Sequence, residues 1–330
     1  MESIEKNSKH FICPSTRKFF QESRTNPRHS SGDFIHGYIY GRWIYLYISV
    51  AKGRHPLTRI LKPFFTLATS IFPKPKIDAY TSTPGNKSKI TFADGYHGKV
   101  MPLDKAGKLI SVNKPLNMPD LEQVIPYKRA RDIILKNPDH IALLKCPCRA
   151  AHEKPCQPED VCLVIGEPFA SFIIEHHPHK ARWINQEEAA AILEAEDQRG
   201  HVHHAFFKDA MLDRFYAICN CCSCCCGAIN IHKNGTPMLA SSGYVSVVDN
   251  DLCIGCATCQ DFCQFDAIEL MDGQASVDYE KCMGCGVCSN KCEQEAITLK
   301  RDPAKGEPLD ICALQDAGRN KKTALSEDII

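Results

Sequence analysis

The sequence predicts an α+β protein made of a basic, aromatic N-terminal region, a mainly α cysteine-rich middle domain and a C-terminal domain of twofold βαβ order. Three observations support this prediction. A four-cysteine pattern occurs twice near the C-terminus, stretches of strong helix formers separate two further cysteine groups, and basic residues are concentrated before residue 77. The predicted boundaries are 1–95, 96–243 and 244–303, followed by a polar tail at 304–330.

Twenty cysteines in 330 residues are the most unusual feature of the composition. The first ten residues contain neither an apolar core nor a small-residue cleavage site, so we expect no secretory leader and a cytoplasmic protein. Cytosolic thiols are kept reduced, and neighbours such as Cys221 and Cys222 are poorly placed to pair with each other. Metal or cluster chemistry is therefore favoured over a disulfide framework.

The C-terminal repeat has the spacing Cys-x2-Cys-x2-Cys-x3-Cys at 253–263 and again, 29 residues later, at 282–292. Three thiolates on a loop and a first helical turn can hold three corners of an iron–sulfur cubane, while the fourth points to a neighbouring cluster. Gly255, Gly284 and Gly286 suit such loops, because tight turns need permissive backbone angles and cluster sulfides need nearby N–H groups. A pair of zinc sites is the alternative, since Cys-x2-Cys is common in them.

Residues 245–300 resemble a bacterial-type ferredoxin domain with two 4Fe–4S clusters and a ferredoxin-like twofold βαβ order. The resemblance implies strands near residues 245, 267, 275 and 296. It also implies that one cluster is held by Cys253, Cys256, Cys259 and Cys292, and the other by Cys282, Cys285, Cys288 and Cys263.

One feature departs from that family, which commonly has proline after the fourth cysteine. This chain has Gln264 and Glu293 there. We expect the exchange to change local rigidity, solvent access and hence the cluster potentials, without removing a ligand.

Ten more cysteines lie upstream in two groups. They are Cys146, Cys148, Cys156 and Cys162, followed by Cys219, Cys221, Cys222, Cys224, Cys225 and Cys226. Ten thiols suffice for one or two additional 4Fe–4S clusters, or for one cluster beside a redox-active thiol group. Zinc is the alternative, because a soft four-sulfur site accepts either metal and spacing does not separate them. We favour at least one additional cluster, because an electron-transfer chain gains from another cluster and not from zinc.

Two segments between these cysteine groups are predicted to be helical. Residues 186–196 are rich in strong helix formers and follow Asn185, a candidate N-cap. Residues 205–216 have apolar side chains at roughly i, i+3 and i+4 spacing. We therefore expect a mainly α domain that folds the two thiol groups together.

The order of the motifs supports a second resemblance. Cys-Pro-Cys-Arg at 146–149, Asn-Cys-Cys-x-Cys-Cys-Cys at 220–226 and the two-cluster repeat are together similar to multi-cysteine 4Fe–4S binding proteins of anaerobic prokaryotes. That resemblance implies electron transfer but no particular reaction. Cys-Pro-Cys-Arg also occurs in ferredoxin–thioredoxin reductase catalytic chains, whose further Cys-x-Cys pairs are not found here at matching spacings. Arg149 and Lys145 flank the first thiol pair and could lower a thiol pKa or offset cluster charge.

Six of the fourteen histidines lie at 175–179 and 201–204. They could form a non-haem metal site, supply a cluster ligand or relay protons beside a redox centre. We favour solvated loop or helix-start histidines, because no His-Glu-x-x-His spacing accompanies them.

The N-terminal region has thirteen Lys and Arg against four Asp and Glu over residues 1–76, whereas residues 101–330 have twenty-four against thirty-three. Its aromatic run at 34–51 is too short, and too often interrupted by polar residues, for a transmembrane helix. This run and the amphipathic segment at 57–72 suit peripheral binding at the inner face of the membrane, or docking to an acidic partner subunit, which we favour. The Pro- and Ser-rich stretch at 72–89 is a predicted linker, and no nucleic-acid reading motif is present.

The chain contains no Gly-x-Gly-x-x-Gly, Gly-x-x-x-x-Gly-Lys-Ser/Thr or Gly-x-Ser-x-Gly motif. We therefore predict an iron–sulfur electron-transfer protein that carries single electrons through two ferredoxin-type clusters and one or two more upstream. Its partners would be redox proteins, and it would serve as a subunit or partner of an anaerobic oxidoreductase. The alternative is a catalytic iron–sulfur reductase that uses a thiol group or substrate-facing cluster within residues 219–226.

Overall fold

The structure is a computed structural model that describes residues 12–56, 58 and 92–316. Apart from residue 58, the predicted amphipathic segment at 57–72 and the predicted linker at 72–89 lie outside the described residues. The last part of the predicted tail, 317–330, also lies outside them.

The described N-terminal part contains α1 (Pro14–Thr25), α2 (Ser31–Arg42) and α3 (Ile44–Ala51). Helix α2 begins at a capping box in which the Ser30 hydroxyl accepts from the Asp33 N–H at 3.1 Å and the Asp33 carboxylate accepts from the Ser30 N–H at 2.9 Å. Such reciprocal bonds satisfy two N–H groups that the helix itself leaves unpaired.

An eight-stranded sheet forms the centre of the molecule and curls into a half-barrel. Its strand order is β2-β3-β4-β7-β6-β1-β8, with β5 also paired to β3. All neighbours are antiparallel except β1 and β8. The strands are β1 (Tyr96–Met101), β2 (Leu116–Met118), β3 (Ile133–Lys145), β4 (Asp160–Glu167), β5 (Ala181–Ile184), β6 (Val202–Lys208), β7 (Arg214–Cys221) and β8 (Leu239–Ala240).

Six helices accompany the sheet. They are α4 (Phe92–Gly95), α5 (Leu103–Ile110), α6 (Pro147–Ala150), α7 (Phe169–His176), α8 (Gln186–Gln198) and α9 (Gly227–Lys233). The helix predicted at 186–196 is confirmed as α8, and the Asn185 side chain caps it by accepting from the Glu188 N–H at 2.7 Å.

The mainly α prediction for the middle domain is wrong. Residues 205–216, predicted to be a helix, belong to β6, the following turn and β7. Every residue of β6 is buried, so both faces of the strand carry apolar side chains and the alternation that marks a half-exposed strand is missing. The turn depends on Leu212 and Asp213, whose φ angles are 62° and 57°. The sequence signals this turn only weakly, because neither residue is glycine and Leu212 is not a typical turn residue.

The C-terminal segment has the order strand, helix, strand twice over. Strand β9 pairs antiparallel with β12, and β10 pairs antiparallel with β11, at the four places where strands are predicted. The elements are β9 (Tyr244–Val248), α10 (Thr258–Asp261), β10 (Ile268–Met271), β11 (Gln274–Val277), α11 (Val287–Asn290) and β12 (Ile297–Arg301).

The chain continues through a 3₁₀ turn at Pro303–Lys305 and is helical again at 311–316. Leu309 and Ile311 are buried. Between them, the Asp310 carboxylate pairs with Lys105 at 2.8 Å and Lys108 at 3.2 Å. The described part of the predicted tail therefore docks against α5.

The N-terminal helices share the core of the sheet. Phe19 and Tyr40 are buried, and the Tyr40 hydroxyl lies 2.9 Å from the Tyr216 hydroxyl on β7. Helix α2 approaches the sheet through Gly37, where an added Cβ would collide with the carbonyl oxygen of Ala210. In the parts of the chain that the structure describes, no helix combines the length and the apolar character needed to cross a bilayer.

The close approach of α2 generates the first prediction. Gly37→Ala should lower the free energy of unfolding by about 1–3 kcal/mol, because an overpacked contact displaces the helix. Gly32→Ala in the same helix is the matched control, since its Cβ would meet only ordinary contact distance. Denaturant unfolding under anaerobic conditions measures both. Equal stability of the two variants would contradict the packing described here.

Candidate metal centres

The two C-terminal cysteine loops depend on left-handed backbone. Gly255 and Ala257 have φ angles of 68° and 65°, and the matching positions Gly284 and Gly286 have 63° and 87°. A Cβ at Gly255 would collide with the carbonyl oxygen of Gly273, and a Cβ at Gly284 would collide with the carbonyl oxygen of Tyr244 in β9. Glycine is required at these two positions because both the angle and the space exclude a side chain.

One pocket brings cysteines of both repeats together. It encloses about 350 Å³ of empty space, counting its open mouth. Its cysteines are Cys253, Cys256, Cys259 and Cys292. The Ala275 N–H points to the Cys253 Sγ at 3.4 Å, and Ile297 forms part of the apolar wall. N–H groups aimed at sulfur and an apolar wall are features that tune cluster potentials.

The other four repeat cysteines form a more buried neighbourhood. Burial raises the pKa of Cys285, and the nearby thiols of Cys288, Cys263 and Cys282 raise it further. The Ser246 hydroxyl lies 3.1 Å from the Cys288 Sγ. These four thiols therefore face one another across the two repeats.

The sulfur separations fit clusters better than single ions. Within the described ranges, no three repeat cysteines have sulfur atoms all within 4.8 Å of one another. A tetrahedral zinc ion with Zn–S bonds of about 2.3 Å needs S–S separations of about 3.8 Å. A cubane carries a separate iron at each corner and so holds its thiolates further apart. The repeat cysteines are therefore spaced too widely for single zinc ions, as cubane ligands are.

A second, larger pocket lies inside the half-barrel and has about 800 Å³ of empty space, counting its mouth. We call it the six-thiol chamber after Cys146, Cys148, Cys162, Cys219, Cys221 and Cys226. Strand pairing places Cys162 of β4 directly opposite Cys219 of β7. Tyr40, Ile44 and Ile48 of the N-terminal helices form its apolar wall.

One thiol of the chamber differs electrostatically from the others. A hydrogen bond from Cys221 lowers the pKa of Cys226 to about 7, despite burial, with help from the N–H groups of Ile229 and Ala228 and the charge of Lys52. In contrast, a hydrogen bond with Cys146, together with burial, raises the pKa of Cys148 well above its ordinary value. Cys226 is therefore the chamber thiol that ionises most readily near neutral pH.

The remaining four upstream cysteines form a separate cluster, which we call the outer thiol group. Its members are Cys156, Cys222, Cys224 and Cys225, whose sulfur atoms all lie within 4.8 Å of one another. Cys222 and Cys225 also line the chamber, and their sulfur atoms lie within 4.8 Å of those of Cys156 and Cys224. The structure thus divides the ten upstream cysteines six to four, across both sequence groups.

Arg149 holds the cysteine segments together. Its side chain is 1% exposed and pairs with the equally buried Glu196 at 2.7 Å. It also donates to the carbonyl of Pro158 and, at 3.0 Å, to the carbonyl of Asn220. Lys145, the other predicted flanking charge, is half-exposed and lies 3.8 Å from Glu159.

The histidines of 201–204 are buried in and beside β6, so the prediction of solvated residues is wrong for them. His201 pairs with Glu196 at 2.7 Å, and His203 lies 2.7 Å from the Asn220 side chain. Burial lowers the pKa of His204 to about 3, so it stays neutral. These rings support the loop that carries the second cysteine group. The sequence analysis did not identify these histidines as buried, because no alternation of apolar and polar residues indicates a strand at β6.

The histidines of 175–179 differ in exposure. His176 lies 2.9 Å from the Thr16 hydroxyl, and His177 lies 2.7 Å from the Gly41 carbonyl. These two rings connect α7 to the N-terminal helices. His179 is exposed, as the solvated interpretation expects.

Gln264, one of the two departures from the ferredoxin pattern, connects the repeat to the upstream cysteines. Its Oε1 accepts from the Ser223 N–H at 2.7 Å, and its Nε2 donates to the Gly200 carbonyl at 2.9 Å. Ser223 lies between two members of the outer thiol group. The equivalent residue of the second repeat, Glu293, is exposed.

Comparison with known families supports the cluster interpretation for the C-terminal segment. Residues 246–293 match the family described as the 4Fe–4S dicluster domain. The match contains all eight repeat cysteines and is consistent with a 4Fe–4S segment of ferredoxin type. No curated protein and no solved structure matches the chain significantly.

The Gln264 contact generates the second prediction. Gln264→Ala should increase the hydrogen-exchange rate of the Ser223 amide on the order of tenfold, because one hydrogen bond contributes about 1 kcal/mol. Glu293→Ala is the control at the matching repeat position and should leave that rate unchanged. Peptide-resolved deuterium uptake measures both. An unaltered rate in Gln264→Ala would show that this contact does not order the loop.

Proposed function

We propose that this protein is an iron–sulfur electron-transfer protein that carries single electrons through two ferredoxin-type 4Fe–4S clusters and a third cluster upstream. The observation that carries the proposal is the pocket ringed by three cysteines of one repeat and the fourth cysteine of the other, within a segment that matches the dicluster family. One cluster would bind Cys253, Cys256, Cys259 and Cys292, and the other Cys282, Cys285, Cys288 and Cys263.

The β9–β12 and β10–β11 pairs support a ferredoxin-like arrangement of these clusters. With the first strand paired to the last, each fourth cysteine would serve the cluster of the opposite loop. Two clusters that each take one ligand from the other repeat lie close together, which suits electron transfer between them.

The third cluster would occupy the six-thiol chamber and bind four of its six cysteines. Strand register pairs Cys162 with Cys219, and Cys146 and Cys148 line the same chamber. These four thiols from β3, α6, β4 and β7 are the ligands we favour. The chamber is next to the ferredoxin-type segment, because the Ser223 N–H bonds to Gln264, the residue after the cluster ligand Cys263. Electrons would pass between the centres across this contact.

A partner oxidoreductase would dock on the N-terminal helices. Ile35, Ile39 and Trp43 follow one another at four-residue spacing and are 56%, 41% and 46% exposed. Leu46 and Val50 extend this apolar stripe along α3. Its neighbours line the chamber, so a partner bound there would lie beside the proposed third cluster. We expect this partner subunit to be acidic, because the N-terminal region is basic. We expect the complex to be cytoplasmic.

One observation favours a second candidate function, a catalytic reductase. Cys221 and Cys226 both line the chamber, and interaction with Cys221 lowers the pKa of Cys226 to about 7. Two such thiols can release two electrons and two protons when they join as a disulfide, and a substrate would accept both. The clusters would then return electrons to the pair one at a time.

Metal content tests the proposed function. The chain purified without oxygen should contain about twelve iron and twelve sulfide atoms, from three cubanes. Cys162→Ser should lower both by about four, because the chamber cluster is lost. Cys256→Ser should also lower both, because a cluster of the ferredoxin-type segment is lost. Cys312→Ser, an exposed cysteine outside every group, is the control and should retain full loading. About eight atoms in the unaltered chain would contradict the third cluster.

The same variants separate the two candidate functions. In an electron-transfer protein, Cys221→Ser or Cys226→Ser should leave electron transfer from the ferredoxin-type clusters to an artificial acceptor intact. Loss of substrate turnover at unchanged iron and sulfide content would instead support the reductase.

A further inference from the structure

We propose that the outer thiol group binds a single zinc ion, separate from the iron–sulfur clusters. The site consists of Cys156, Cys222, Cys224 and Cys225. It is independent of the two ferredoxin-type clusters and of the proposed occupant of the six-thiol chamber. The argument depends on sulfur separations, on the donor set and on the position of the two loops that carry it.

The four sulfur atoms are close enough together to bind one tetrahedral ion. The Cys156 Sγ lies 2.8 Å from the Cys224 Sγ, which in turn lies 3.5 Å from the Cys225 Sγ. All four sulfurs lie within 4.8 Å of one another. Zn–S bonds of about 2.3 Å give tetrahedral edges of about 3.8 Å, inside this range. Among the described residues, no other four cysteines are gathered so closely.

The donor set is that of a structural site. Four thiolates complete a tetrahedral zinc shell and leave no open position for water or substrate. Cys222 and Cys225 are buried, Cys156 is half-buried and Cys224 is exposed. An ion can therefore enter from the surface at Cys224.

The ion would join two loops that have no regular structure of their own. Cys156 lies in the loop 151–159, between α6 and β4, and the other three ligands lie in the turn between β7 and α9. Both loops lead directly into chamber cysteines, Cys162 and Cys226. Closing these loops with one ion fixes the chamber wall and the Ser223 N–H that meets Gln264. The zinc ion is thus a structural support for the contact between the chamber and the ferredoxin-type segment.

Zinc content and zinc coordination test the proposal. The full chain, purified without oxygen from cells supplied with iron and zinc, should contain about one zinc atom. Zinc-edge X-ray absorption should show four sulfur neighbours at about 2.3 Å. Cys224→Ser should lose this zinc while iron and sulfide stay at the level of the unaltered chain. Cys312→Ser is the matched control, because it removes another exposed cysteine, and should lose neither metal.

Three outcomes would overturn the proposal. The first is a fall in iron and sulfide of about four atoms each in Cys224→Ser, which would assign a cubane to the site. The second is a chain without zinc, or with a single iron that lacks sulfide. The third is zinc with fewer than four sulfur neighbours. The absorption measurement uses the unaltered chain, so a variant that fails to fold does not prevent the test. The iron count of the unaltered chain tests the third cluster separately.

Discussion

The buried ion pair between Arg149 and Glu196 is the interaction on which the upstream half of the molecule depends. Both side chains are 1% exposed, so water does not screen them. The guanidinium also donates to the carbonyl of Pro158, in the loop before β4, and to the carbonyl of Asn220, within the second cysteine group. Three cysteine-bearing segments thus meet at one cation. Removing one partner of such a pair costs roughly 3–5 kcal/mol, because the remaining charge stays buried. Arg149 therefore acts through the backbone that positions the thiols, more than through the acidity of any one thiol.

Local spacing explains why the C-terminal site could be predicted and the upstream site could not. Cys253, Cys256 and Cys259 lie within seven residues, so their spacing alone predicts that one loop brings them together. The upstream split depends instead on the register of β4 against β7, which pairs Cys162 with Cys219. Nothing in the spacing separates Cys156 from Cys162. Prediction also failed at β6, because a strand buried on both faces shows no alternation. The helix at Gln186–Gln198 was predictable because its formers and its cap are local.

The role of Gln264, which departs from the ferredoxin pattern, is evident only from its contacts in the folded structure. Proline after the fourth cysteine could not offer the two amide contacts that Gln264 makes with Ser223 and Gly200. Asn290 extends the same contact, since its side chain donates to Asp197 at 2.9 Å. The ferredoxin-type segment is thereby fastened to α8 and to the cysteine turn. The repeat alone indicates its cysteines, whereas the substituted position shows where the repeat meets the rest of the chain.

The pairing of β4 with β7 has a consequence for the order in which the protein matures. Side chains alternate between the faces of a sheet, so a slip of one residue would turn Cys162 away from the chamber that Cys219 lines. The chamber thiols are therefore gathered only after the central sheet has formed in its native register. The C-terminal loops gather three thiols each from adjacent residues and need no distant strand to do so. In the proposed three-cluster protein, the C-terminal sites could thus take up iron and sulfide before the chamber, whose thiols come together only in the folded sheet.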